Sequence, residues 1–146
     1  MMNYKDEVEK IFNDIIKDYN YQVKSIKNDK IALVNSKCAI VFSISREGID
    51  IEYICKINTD IFSYWMTNFI CSRFTDKDRS QYGETNGFIS KIESEFRAIS
   101  SGLLNNWKDL LSGDKQWIDQ YTVDRFGGKP DKVEENIKRV LDGYLI

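Results

Sequence analysis

Residues 31–54, IALVNSKCAIVFSISREGIDIEYI, constrain this chain more than any other stretch. Cys38, Ile40, Phe42 and Ile44 fall on one side of a period-two pattern, with Ala39, Val41, Ser43 and Ser45 on the other. A strand that is apolar on one face and small on the other belongs in the middle of a sheet. Arg46-Glu47-Gly48 then reads as a hairpin loop, Gly48 supplying the positive φ. After it, Ile49, Ile51 and Tyr53 point inward while Asp50 and Glu52 point to water. Tyr21–Lys27 and Ile31–Val34, separated by an Asn28-Asp29 turn, complete a four-stranded antiparallel meander, because short loops join sequential strands side by side.

Helical periodicity brackets this sheet. Tyr4, Val8, Ile11, Phe12, Ile15, Ile16 and Tyr19 make one stripe over residues 4–19, with Asn3 as N-cap and Asn20 as stop. A helix is expected over Ile61–Arg73 after the capping run Asn58-Thr59-Asp60. A long one is expected over Phe88–Leu111, bending at Ser101-Gly102 and capped by Gly113. A short helical element carries Trp117, Ile118 and Tyr121. A last helix starts at a capping box of Asp131 and Glu134 and buries Val133, Ile137, Val140, Leu141 and Tyr144. The expected architecture is α+β, one domain over residues 1–146: an N-terminal helix, the four-stranded meander, then three to four helices packed on one sheet face.

Composition excludes more than it selects. The chain contains no histidine, which removes the usual serine and cysteine nucleophile systems and the commonest zinc ligand. Cys38, Cys55 and Cys71 have no zinc-module spacing, so no metal and no cofactor is expected. A net charge of −2 argues against a broad nucleic-acid face. No apolar run is long enough for a membrane span, and the charged, helical opening MMNYKDEVEK does not read as a signal peptide. With three cysteines and no CxxC, the expected location is the cytoplasm. Asp50 and Glu52 sit two residues apart on one strand face, but Ile54 stands where a nuclease-type lysine would be, so no catalytic residue is assigned. Phe126-Gly127-Gly128-Lys129-Pro130 exposes backbone N–H groups without matching a phosphate loop; it reads as a connection between helices.

What remains suits recognition. Residues 75–86, TDKDRSQYGETN, read as a polar loop in which Asp76, Asp78, Arg79, Tyr82 and Glu84 combine both charge signs with an aromatic. Trp117 and Arg125 form a second candidate contact cluster, whereas Trp65 and Trp107 fall on apolar helix faces and read as core. The opening IFNDIIKDYNYQVKSIKNDKIALV, the closing LLNNWKDLLSGDKQWIDQY and a terminal helix on a small acidic domain resemble the α+β immunity proteins of bacterial toxin systems of the contact-dependent growth inhibition type. That resemblance implies a cytoplasmic, non-catalytic protein that blocks one cognate toxin domain by stoichiometric binding; the charge and the lack of an apolar span separately lead to the expectation of no nucleic-acid or membrane partner. Two other readings stay open: a small enzyme or nucleotide-binding protein with a carboxylate site, and a regulatory homo-oligomer of phage or mobile-element origin.

Overall fold

The computed structural model of the chain describes residues 3–82 and 87–145, with the side chains of residues 82 and 88–90 outside that description. Asn3 caps α1 (Tyr4–Ile11), its side chain accepting from Asp6 N–H at 3.3 Å. The helix then kinks at Phe12 and continues as α2 (Asn13–Tyr19), which stops where Asn20 turns left-handed at φ 59°. The kink keeps the ladder, since Phe12 N–H still reaches Val8 O at 2.9 Å. It also drops the Phe12 ring into the core between Phe42 and Phe96, with centroids 5.0 and 5.8 Å away.

The strands β1 (Gln22–Lys27), β2 (Lys30–Val34), β3 (Cys38–Ser45), β4 (Gly48–Ile57), β5 (Asp60–Trp65) and β6 (Asp131–Lys132) lie in that order in one antiparallel sheet. The sheet therefore has six strands, two beyond the expected meander. Asn35 closes the turn into β3 by accepting from the N–H groups of Lys37 and Cys38 at 2.9 and 3.0 Å. The expected helix over Ile61–Arg73 is instead β5 followed by a 3₁₀ turn at Phe69–Arg73. Asn58, at φ 59°, makes the run before it a two-residue hairpin rather than a helix cap. Trp65 consequently points away from the core and is 44% exposed, contrary to its expected burial.

Residues 76–82, expected to be loop, hold α3 (Asp76–Arg79) and a 3₁₀ turn at Ser80–Tyr82. The long helix is α4 (Phe88–Asn106), and it breaks at Trp107, not at Ser101-Gly102, before α5 (Lys108–Leu111). Gly102 serves packing instead: a Cβ there would collide with the Phe74 ring. The break is held by Arg73, whose guanidinium stacks 3.9 Å from the Trp107 ring centroid and bonds Asp109 at 2.8 Å and Asn106 O at 3.3 Å. Gly113 caps α5 at φ 85°, and α6 (Trp117–Val123) follows. Residues 131 and 132 belong to β6, paired with Ser63 and Phe62, so the anticipated capping box does not form; α7 (Glu135–Leu141) starts without a side-chain cap.

The helices divide between the two faces of the sheet. Val8, Ile15, Phe96, Leu103, Leu110, Trp117 and Tyr121 pack with Ile31, Leu33, Ile40, Phe42, Ile51 and Tyr53 on one face. On the other, Val133, Ile137 and Leu141 cover Ala32, Val34, Ala39, Val41 and Ile54. This corrects the expectation of helices on one face only: the small side chains of β3 make the shallow surface on which α7 rests. Ile137→Ala is expected to cost about 2–3 kcal/mol in urea unfolding, through lost burial and a partly collapsed cavity. A loss within about 0.5 kcal/mol, the range of surface substitutions, would show that α7 contributes little to that layer.

The three cysteines are free. Cys38 and Cys55 are register partners on β3 and β4, both fully buried. Burial pushes the Cys38 thiol up, and pushes Cys55 up to about 11, so neither is an ionised nucleophile near neutral pH. Among the described residues, no helix is long and apolar enough to cross a membrane, and no group of three or more Cys, Asp or Glu side chains is placed to hold a metal ion.

Candidate functional site

β5 leaves β4 after the Glu52–Trp65 pair, so among the described residues the start of β4 has no neighbouring strand on that side. The freed backbone is capped by other groups. Ile51 N–H donates to Thr67 Oγ1 at 2.9 Å, and Ile51 O accepts from Met66 N–H at 2.8 Å. The Glu95 carboxylate of α4 lies close enough to Ile49 N–H for that dipole to favour its charged form. Gly48 makes that approach possible: a Cβ there would lie 2.9 Å from Glu95 Oε2.

Beside this edge, between β4, the Phe69–Arg73 turn and α4, opens a cleft of about 320 Å³. Its apolar walls include Ile49, Ile51, Ile70, Phe74, Ala98 and Ile99; Glu47, Asp50, Thr67, Cys71, Arg79 and Glu95 supply its polar groups. Concave, mostly apolar walls with a few polar groups are the usual form of a binding site. Burial pushes the Glu95 carboxyl up, and the Asp50 charge adds to this, while Lys91 and the Ile49 N–H oppose it. Asp50 also accepts from Thr67 Oγ1 at 3.4 Å. Glu52, its neighbour on the strand, accepts from Ser63 Oγ at 2.8 Å and does not line the cleft.

Helix α3 forms one rim. Thr75 and Asp78 make a reciprocal capping box, and Asp78 is fully buried. Its carboxylate accepts from Thr75 N–H at 2.9 Å, Ser101 Oγ at 2.8 Å, Asn105 Nδ2 at 3.2 Å and Asn106 Nδ2 at 2.6 Å. Burial alone would push this carboxyl up; the hydrogen bonds from Thr75, Ser101 and Asn105 outweigh it and hold the group below the ordinary carboxylate range. The result is a short, fixed helix on α4 that presents Asp76, Lys77 and Arg79 to solvent, Arg79 pairing with Asp76 at 3.4 Å.

The residues singled out from the sequence separate accordingly. Asp76 and Arg79 are exposed and adjacent. Asp78 is not a contact residue: it is the buried pin that holds the other two. Tyr82 ends the 3₁₀ turn, and its side chain, like all of Glu84, lies outside the described residues. Trp117, 2% exposed, is packed edge-on against Tyr53, Tyr64 and Tyr121 and is no surface anchor. Arg125 is exposed, stacks 4.5 Å from the Phe126 ring centroid, and does not line the cleft. Glu95 was missed because a glutamate on a polar helix position looks solvated. Only its proximity to Gly48, 47 residues earlier in the chain, reveals its role. No family model, curated protein or solved structure matches this chain.

Proposed function

We propose that the chain is a non-catalytic binding protein that neutralises a cognate toxin domain by forming a stoichiometric complex, with α3 as a contact surface. The observation that carries this reading is the Asp78 network. Five polar hydrogen atoms converge on one buried carboxylate to fix a four-residue helix whose outward side chains are all charged. Fixing the backbone that carries those side chains before binding reduces the ordering cost that an interface otherwise meets. The mixed charge of Asp76, Lys77 and Arg79 suits partner selection and orientation. Co-expression with the product of the adjacent reading frame, followed by co-purification, tests the complex. Asp76→Lys is expected to leave the unfolding midpoint unchanged and to slow association with a basic toxin roughly threefold or more at low salt. Unchanged association and unchanged protection of cells would remove α3 from the interface.

One observation favours a second reading. Glu95 and Asp50 line the same apolar cleft with a carboxyl shifted upward, an arrangement suited to a general acid and base. Turnover that disappears with Glu95→Gln in a folded protein would establish it.

A further inference from the structure

The β4–α4 cleft has a charge pattern that specifies its occupant. Among the described residues, Glu47, Asp50 and Glu95 line it with one cation, Arg79, which also pairs with Asp76 at 3.4 Å. Lys91, the other cation near Glu95, directs its ammonium to Arg46 O at 3.2 Å. Glu47 accepts from Ser45 Oγ at 3.0 Å. The carboxylates of Glu95 and Asp50 thus stand beside an apolar slot formed by Ile49, Ile70, Phe74 and Ile99, with Ile49 N–H near Glu95 and Thr67 Oγ1 donating to Asp50 at 3.4 Å.

We propose that this cleft receives an arginine side chain of the partner protein, its aliphatic stem between Ile49, Ile70, Phe74 and Ile99 and its guanidinium against Glu95 and Asp50. The proposal rests on the partner-binding reading above and adds the chemistry of the anchor. An arginine combines an apolar stem with a planar, permanently charged head that bonds carboxylates in a fork. It therefore matches both the walls and the charge, whereas a purely apolar anchor would leave Glu95 desolvated without compensation. The volume of about 320 Å³ lies at the small end of ligand sites, suited to one long side chain. Arginine is also among the residues that most often carry interface energy.

The test uses the whole chain and n-butylguanidinium as the probe, followed by amide-resolved NMR titration at neutral pH, with n-butylurea as the uncharged counterpart. Saturable shifts are expected at Ile49, Ile51, Thr67, Glu95 and Ala98. Glu95→Gln, which keeps the size of the side chain and removes its charge, is expected to weaken probe binding roughly fivefold, and Asp50→Asn by a smaller factor. An unchanged amide spectrum away from the cleft verifies that each variant is folded. Absence of saturable shifts, equal binding of n-butylurea, or full probe affinity in both variants would each overturn the proposal. Because no partner is present, these outcomes are independent of whether α3 binds a toxin. Loss of toxin binding on Asp76→Lys with no probe response would retain the partner reading and discard the arginine anchor.

Discussion

Trp117→Ala is expected to lower stability by about 3–5 kcal/mol, the cost of emptying a large aromatic site in a core. The indole is 2% exposed and lies with centroids 5.1 Å from Tyr53, 5.4 Å from Tyr64, 6.0 Å from Tyr121 and 6.5 Å from Trp107. Through these contacts α6 is fastened to β4 and β5, and the Tyr121 hydroxyl oxygen in turn accepts from Trp65 N–H at 3.1 Å. The polar end of the indole adds nothing, because Nε1 is buried with no hydrogen-bond partner among the described residues. Trp117→Phe should therefore cost only about 1 kcal/mol, the smaller ring being offset by removal of a buried, unpaired N–H. Guanidinium unfolding of the two variants separates these values. Stability preserved in Trp117→Ala would contradict the core placement and return this residue to the surface role suggested by its position in GDKQWIDQY.

Asp78→Ala is expected to cost about 3 kcal/mol or more. It strips the acceptor from Thr75 N–H, Thr75 Oγ1, Ser101, Asn105 and Asn106 together, and hydrogen bonds to a charged group are worth more than neutral ones. The loss should be accompanied by faster amide exchange across α3, since the network is what joins that helix to α4. The same group makes stability depend on pH. Its folded pKa is below its unfolded value, near 4, so its contribution is complete above that value and is lost as pH falls through the lower, folded one. Glu95 works in the opposite sense, its raised carboxyl favouring the folded state as protons are added. Comparing Asp78→Asn with the parent chain isolates the first effect. The stability difference between them should shrink on acidification below about pH 4. A gap that stays constant down to acid unfolding would mean that the buried carboxylate is not preferentially ionised in the fold.

The parts of the structure legible in the sequence are those where one periodicity dominates. Cys38–Ser45 alternates without competition, and its small face foretold a central position, which β3 occupies. The α1–α2 stripe and its ends at Asn3 and Asn20 were equally direct. Residues 61–70 show where pattern reading fails. Phe62, Met66, Phe69 and Ile70 satisfy helical spacing, while Phe62, Tyr64 and Met66 satisfy strand spacing, and Asn58-Thr59-Asp60 serves equally well as cap or hairpin. Pairing with β4, a long-range contact, decides between them, because it satisfies β4's backbone groups on that side. The placement of α7 depended on a similar fact: Ala39 and Val41 do not announce that another helix will cover them. At the candidate site, the exposure of Asp76 and Arg79 follows from their charge in a polar stretch. The burial of Asp78 is not legible, because an aspartate in a polar stretch looks solvated and its partners Ser101, Asn105 and Asn106 lie on a helix more than twenty residues later.

The two-sided sheet also bears on how the chain reaches its native state. α7 arrives at Ala32, Val34, Ala39 and Val41 only after roughly a hundred intervening residues, whereas the first four strands join through turns of two or three. The hairpins can therefore form while one whole surface of the sheet remains bare, for closing so long a loop is slower than closing a turn. During that interval, and whenever α7 lifts from the sheet, a patch of alanines, valines and Ile54 faces water. It is a surface on which two half-folded copies would adhere, and on which a protease would find its substrate in the detached tail.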